Sequence, residues 1–376
     1  VEEKSLIHRL QFKPSSINRY YTQWKSPTTI SIHQSNPQPF ALGELEGIIG
    51  PLKKILDQDL TLTYATTQGN EQLRISITTL YDHDNPDQIA TFTGAQEAIF
   101  CSIHSLLDPG DKVVAITPVF EPLVNTAENL GCEIKLIPLE AAKQWFLDLN
   151  KLEHIIKSGC KLLILNFPHN PTGAMITKDE LLQIIKICDD HHCWILSDEV
   201  FRGLEYKPQD RLPAVSDLYP KAVSIGVLSK SFALPAIRIG WISCQDKSVI
   251  KKMLEVKDYL SICNSLIDER LTIKVMQHHD QIWERNRNLI SENLVKLEKF
   301  MSDKNDFFTY IKPEAGCVCF PIIRSDISAN DFAQQLSVDK NLLVLPADLF
   351  CTTQNGIRLG FGYKKNISYL AIIDSF

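Results

Sequence analysis

No apolar run in this 376-residue chain reaches the roughly 18 residues that a membrane-spanning helix needs. Val1-Glu2-Glu3-Lys4 does not read as the start of a secretory signal, so a cytoplasmic protein without membrane contact is the expectation. Positive charge is not in excess. There are 39 Lys and Arg against 45 Asp and Glu, a net charge of −6, and the basic residues are scattered rather than striped, which argues against a nucleic-acid partner. CxxC pairs are lacking, and no histidine stands near Cys317 and Cys319, so no metal site is expected. The 10 cysteines do not read as a disulfide framework, because Cys101, Cys160, Cys188, Cys193 and Cys244 lie in or beside apolar runs, as reduced core thiols do. Internal repeats and low-complexity linkers are also missing.

What is present is an ordinary globular composition, 44% apolar and 22% charged, on a chain long enough for two domains. The part before about Ala41 is rich in Ser, Pro, Asn and Gln and reads as irregular. A helix follows over Leu42–Gln58, broken or bent at Pro51. Helical periodicity then covers Glu71–Tyr81, Gln96–Leu106 and Pro122–Leu130. Apolar strands are expected over Ile89–Phe92, Lys112–Ile116, Glu133–Ile137, Lys161–Asn166, Cys193–Ser197 and Ala222–Leu228, as in a buried parallel sheet. Thr177 and Glu180 form a capping box ahead of a helix to about His191. The alternation predicts an α/β large domain with a mostly parallel sheet. From about Asp246 long helices take over until near Met301. Short strands and helices follow, predicting a smaller α+β domain. The division expected is 42–260 for the large domain, and 1–41 with 261–376 for the small domain and its N-terminal arm.

Several residues at strand ends carry chemistry. Lys230 lies in Leu228-Ser229-Lys230-Ser231-Phe232, and Arg238 follows in Ile237-Arg238-Ile239-Gly240. A lysine among hydroxyls with an arginine close behind can hold a carbonyl cofactor as a Schiff base, while Ser229 and Arg238 hold a phosphate on it. Thr93-Gly94-Ala95-Gln96 joins a strand to a helix, and Gly94, Ala95 and Gln96 offer backbone N–H groups to the same anion. Asp198 ends a buried strand, where a carboxylate is costly unless it meets a cation such as a protonated pyridine nitrogen. Asn170, in Asn166-Phe167-Pro168-His169-Asn170-Pro171-Thr172-Gly173, can donate to a ring oxygen, and Phe120 can stack on the ring. Arg358 stands in Gly356-Ile357-Arg358-Leu359-Gly360 and needs an anionic partner, for which an α-carboxylate suits its fork. Arg202 and Arg270 are charged candidates for a dicarboxylate pocket, although both read better as solvated surface.

Taken in order, Tyr64-x4-Gly69-x3-Leu73-Arg74, Thr93-Gly94-Ala95-Gln96, Asn170-Pro171-Thr172-Gly173, Ser197-Asp198-Glu199, Ser229-Lys230-Ser231 with Arg238, and Arg358 resemble the class I/II aminotransferase family of fold-type I pyridoxal-phosphate enzymes, over about residues 60 to 360. The resemblance implies a seven-stranded, mostly parallel sheet, pyridoxal 5'-phosphate held by Lys230, and an amino acid and a 2-oxo acid as substrates, with Arg358, Asn170 and Asn36 on the substrate side. It also implies a homodimer in which Tyr64 reaches the partner's phosphate. Two departures stand out. Relatives carry tyrosine where this chain has Phe201, so the cofactor's ring oxygen lacks one hydroxyl partner, a bond worth about 0.5–1.5 kcal/mol, and its pH titration should change. Ser35-Asn36-Pro37-Gln38-Pro39-Phe40 lacks the glycine that relatives often carry there. Two other readings are open. Ser197–Glu205, Tyr259–Ser265 and Glu284-Arg285-Asn286 resemble a branch that includes capreomycidine-synthase-like cyclases. A non-enzymatic regulator with an aminotransferase-like sensing domain is the other, although no basic winged-helix extension precedes residue 60.

Overall fold

Seven apolar runs pair into one sheet. They are β1 (Ile89–Thr93), β2 (Lys112–Thr117), β3 (Glu133–Pro138), β4 (Leu162–Asn166), β5 (Trp194–Asp198), β6 (Ala222–Val227) and β7 (Ile239–Cys244). The computed structural model describes residues 12–26, 28–56 and 60–374. Residues 1–11, which include Val1–Lys4 and the start of the expected arm, and the expected helix end at Gln58 lie outside the described residues. The strand order is β1-β7-β6-β5-β4-β2-β3. All neighbouring pairs from β6 to β3 are parallel, while β7 runs antiparallel to both β1 and β6. Two reversals restore direction, so β1 runs with β6. The carboxyl ends of six strands and the amino end of β7 therefore share one edge, the edge where ligands bind in such sheets.

Local chemistry explains most elements. β4 through β7 are buried over nearly their whole length, so alternation is lost and continuous apolar runs replace it. Thr177 and Glu180 close the capping box ahead of the helix Lys178–Asp190, as expected. The expected helix over Leu42–Gln58 is found as two pieces, Leu42–Ile49 and Leu52–Ile55. Gly50 between them adopts φ +89°, and Pro51 cannot donate to the previous turn. The helix Leu149–Ile156, capped by Asp148, and the strand β7 were not expected.

The small sheets lie beyond. Ile30–Ser31 pairs parallel with Leu342–Leu343, Ile357–Gly360 sits between Val318–Cys319 and Leu345–Pro346, and Phe308–Thr309 pairs with Ile322–Ile323. The helix Leu266–Gln277 buries Leu271, Val275 and Met276 in a second apolar cluster with Leu73 and Ile77 of the helix Glu71–Thr78 and Trp241 of β7. All ten cysteines are free thiols, and only Cys263 and Cys351 are not fully buried. Among the described residues no helix is long and apolar enough to cross a membrane, and no group of three or more His, Cys, Asp or Glu could hold a metal ion.

The N-terminal part corrects the expectation of an irregular segment, because Ser16–Trp24 is helical. Ser15 caps it, and Ile17 and Tyr20 are buried on one face. Its exposed N–H groups are satisfied from far along the chain. The buried Glu121 carboxylate accepts from Ser16 N at 2.9 and 3.0 Å and from Ile17 N at 3.3 Å. A negative charge at a helix start also suits the helix dipole. Replacing Glu121 with Ala should cost about 1–3 kcal/mol by orphaning those amides. In hydrogen–deuterium exchange the Ser16 and Ile17 amides should lose protection while the large sheet keeps its own. Unchanged protection at those two amides would contradict this role for Glu121.

Candidate active site

Strand direction delivers the chemistry-bearing residues to one place. β1 ends at Thr93 and leads into the helix Gly94–Leu106, whose Thr93 N-cap makes no side-chain capping bond. The first N–H groups of that helix are thus free of a side-chain cap and face outward from the edge. Gly94 adopts φ +78°, and a Cβ there would lie 2.5 Å from Arg238 Nη2. Gly240 lets β7 come as close, since its Cβ would lie 2.7 Å from Ala95 N. The result is a cradle of backbone N–H groups with an exposed guanidinium laid across it, which is an anion site by chemistry. Ser229 is half-buried one residue before Lys230 on the neighbouring strand's exit.

β4 and β5 end side by side, with Asn166 in register with Asp198. The Asn166 side chain ties both ends together: Nδ2 donates to Asp198 O at 2.8 Å, and Oδ1 accepts from Asn170 N at 2.9 Å. Asn166 was not singled out from sequence, although it stands at a strand end beside the Asn-Pro motif. Asp198 is buried and accepts from Val200 N at 3.2 Å. Burial pushes its carboxyl up from 3.8 to about 6, against the pull of Val200 N–H and Lys230.

Lys230 follows β6 and is half-buried. Burial first, then Arg358, lower its amine from 10.5 to about 8, while Cys317 and Asp198 work the other way. Nζ donates to Ser35 Oγ at 2.6 Å, a contact that nothing in the sequence reading foresaw.

Arg358 is 2% exposed. Nη1 donates to Asn170 Oδ1 at 3.0 Å, Nη2 donates to the His33 carbonyl at 2.7 Å, and Nε is buried without a partner. Its Cζ lies 5.0 Å from the centroid of the Phe350 ring. Among the described residues no carboxylate pairs with it. A buried cation without a counter-ion is costly, and an anion beside this fork would relieve that cost. His33 stays neutral, its imidazole lowered to about 3 by burial and then by Arg358, and it bonds through Nδ1 with Ser31 Oγ. Its ring contacts Tyr21 at 4.6 Å between centroids.

Glycines explain how the N-terminal segment reaches this point. A Cβ on Gly360 would lie 2.0 Å from Gln34 O, and one on Gly362 would lie 2.5 Å from Asn36 O. Gly360 N donates to Ile32 O at 2.6 Å and Gln38 N to Gly362 O at 2.8 Å. Segment 32–38 therefore runs along the strand that carries Arg358.

The other expected residues fall as follows. Gln96 and Phe120 line a shared cavity of about 350 Å³ with Ser15 and Asn125. Asn36 donates to Pro37 O at 2.8 Å and to Tyr363 Oη at 3.3 Å, and among the described residues it bonds to neither Lys230 nor Arg358. Phe201 is fully buried, its ring 3.0 Å from where a Gly316 Cβ would stand. Tyr64 is 86% exposed. Arg202 departs from the expectation of solvated surface. It is half-buried, bonded to Leu80 O, and packed over Tyr81 near the buried Glu199, because that carboxylate needs a counter-charge. Arg270 is exposed.

One consequence concerns Asp198 alone. Its folded-state carboxyl lies above its ordinary value, so the neutral form is preferred on folding. Its contribution to stability is full below pH 3.8 and is lost as pH rises through about 6. Above that, the buried carboxylate costs on the order of 3 kcal/mol. Cofactor-free Asp198→Asn should thus resist urea better than the wild type at pH 8, and the gain should shrink at pH 4. A variant less stable at both pH values would contradict this.

The chain matches the family described as aminotransferase class I and II over residues 16–372. Capreomycidine synthase of Streptomyces vinaceus is 25% identical over 336 residues, which cover 89% of this chain and 85% of that protein. Aspartate aminotransferase of Sulfurisphaera tokodaii is 24% identical over 331 residues, 84% of this chain and 81% of that one. The crystal structure of a PLP-dependent aminotransferase from Streptococcus suis superposes with a TM-score of 0.90 at 27% identity over 97% of both chains. The structure of a PLP-dependent cyclase shares the fold, with a TM-score of 0.89 at 23% identity over 96% of both chains. The family depends on pyridoxal phosphate, and the residues here fit that group: an anion cradle at Gly94 and Arg238, a buried carboxylate at Asp198, an amine of lowered basicity at Lys230 and, at Arg358, a buried guanidinium whose Nε has no hydrogen-bond partner among the described residues. On these grounds the chain belongs to the class I and II aminotransferase family of fold type I.

Proposed function

We propose that this chain is a pyridoxal-phosphate-dependent aminotransferase that acts on an amino acid and a 2-oxo acid. The observation that carries this reading is the Arg358 guanidinium, buried without a carboxylate partner and electrostatically coupled to the Lys230 amine. Both substrate classes carry an α-carboxylate, and a planar fork with an open Nε suits it. Bound at this edge, pyridoxal phosphate would supply an electron sink for negative charge at the substrate's α-carbon.

The chain's own residues do the rest. Gly94, Ala95, Gln96, Ser229 and Arg238 would hold the phosphate. Asp198 would pair with the ring nitrogen, a partner that repays the cost of its burial. Asn170 has Oδ1 taken by Arg358, which leaves its NH2 end to donate to the ring oxygen. Phe120 would stack on the ring, and Phe201 leaves that oxygen one hydroxyl short. Lys230 would hold the cofactor and, once freed, act as general base. An amine near 8 is partly neutral around physiological pH, as that work requires. Asn36 would face the substrate from the N-terminal segment. The same reading divides the chain into a large domain over 42–260 and a small one from 1–41 and 261–376.

A homodimer is part of the proposal. Leu62, Tyr64 and Tyr259 are 71%, 86% and 92% exposed, and Thr67 bonds to Asp258 at 3.4 Å, which draws their two segments together. An apolar patch of that kind marks an interaction surface, and Tyr64 on it would reach the partner's phosphate.

A second reading, cyclisation or elimination on an amino acid, is supported by the match to capreomycidine synthase over 89% of this chain. Incubation with single amino acids and a 2-oxo acid separates the two. Transamination predicts one new 2-oxo acid per amino acid consumed. Ammonia or a cyclic product without a new oxo acid would replace the first reading with the second. Arg358→Gln should lower kcat/KM by about a hundredfold or more, the loss of a charge-assisted bidentate contact. An effect below threefold would place the carboxylate elsewhere.

A further inference from the structure

The short bond from Lys230 to Ser35 is made by a residue 195 positions away, on a segment that the large sheet does not hold. Ser35 is buried, and its hydroxyl makes no other hydrogen bond to a described residue. Its position is set by two attachments on either side. His33 O takes Arg358 Nη2, and Gln34 O and Asn36 O lie against Gly360 and Gly362. One stretch of four residues thus touches both the fork and the amine. Resting on the reading of Lys230 given above, we propose that Ser35 is a positioning residue for the Lys230 amine. Its Oγ accepts from Nζ and holds the ammonium that forms when Lys230 takes a proton from the substrate.

The physical reason is the difference between two hydrogen bonds. A neutral amine donates weakly to a hydroxyl oxygen, whereas an ammonium donates through a charge-assisted bond roughly twice as strong. Ser35 therefore favours the protonated form in a place that otherwise disfavours it. The groups facing the amine are Arg358 and Arg238, which oppose a second positive charge, Asp198 and Cys317, which support one, and the neutral His33. A hydroxyl adds no net charge to this balance. It also fixes one N–H direction, so that the lone pair of the neutral amine points elsewhere. Because the same segment bonds Arg358, binding of a carboxylate at the fork is linked mechanically to the place of the base.

The test titrates the amine directly. Full-length protein stripped of cofactor is mixed with pyridoxal phosphate over pH 6 to 10, and the rate at which visible absorbance develops is followed for wild type, Ser35→Ala, Ser35→Thr and Lys230→Ala. Loss of the hydroxyl should move the midpoint of the pH–rate profile down by about one unit, a tenfold change in the protonation equilibrium, as expected for one charge-assisted bond. Ser35→Thr should bring the midpoint back. In turnover, Ser35→Ala should lower kcat about tenfold with KM changed less than threefold. A midpoint that stays in place or rises in Ser35→Ala overturns the proposal, as does an equal shift in Ser35→Ala and Ser35→Thr, which would mean packing and not the hydroxyl. Colour that still develops in Lys230→Ala overturns the underlying reading of Lys230 instead.

Discussion

Strand direction is the constraint from which the site follows. Because β7 runs antiparallel between β1 and β6, β1 regains the direction of the other strands. Thr93, Thr117, Asn166, Asp198 and Val227 then end at the same edge, and Arg238 enters β7 there. Residues that are up to 145 positions apart in sequence thus come to one edge. Gly94 and Gly240 finish the arrangement by allowing backbone and guanidinium closer together than any Cβ would permit.

Burial then decides the charge states. Away from water, the Lys230 amine falls towards neutrality, the Asp198 carboxyl rises towards it, and Arg358 stays cationic without an acid beside it. Each of these is unfavourable in isolation. Together they suit the proposed binding of one phosphorylated, nitrogen-containing ring and one carboxylate. The N-terminal segment closes the other side. Glu121 anchors its helix beside Phe120, and Gly360 and Gly362 seat its loop along the strand of Arg358. The groups proposed to anchor the cofactor thus lie at the sheet edge, whereas those proposed to bear on the base and the carboxylate come partly from a segment more than a hundred residues away.

Much of this was legible in the residues. The apolar runs that became β4 to β6, the Thr177–Glu180 capping box, and the break at Gly50-Pro51 are decided by local chemistry, and local chemistry can be read from a sequence. Asn170 and Arg358 were each recognisable, and the structure joins them at 3.0 Å. What escaped depends on partners remote in sequence. The helix Ser16–Trp24 takes part of its cap from Glu121, although the spacing of Ile17, Tyr20, Tyr21 and Trp24 was a signal that could have revealed it. The β7 strand carries a glycine and follows directly on an arginine, so its burial was hidden. Ser35 looked like one polar residue among many, and only the fold brings it to Lys230.

The account depends on the amine at position 230 being the group that holds pyridoxal phosphate. Borohydride reduction of the cofactor-loaded protein, followed by peptide mapping, tests it most directly. The account predicts a single reduced adduct on the peptide containing Leu228-Ser229-Lys230-Ser231-Phe232, with one cofactor per chain. An adduct on any other lysine, or none in protein exposed to saturating cofactor, would contradict it.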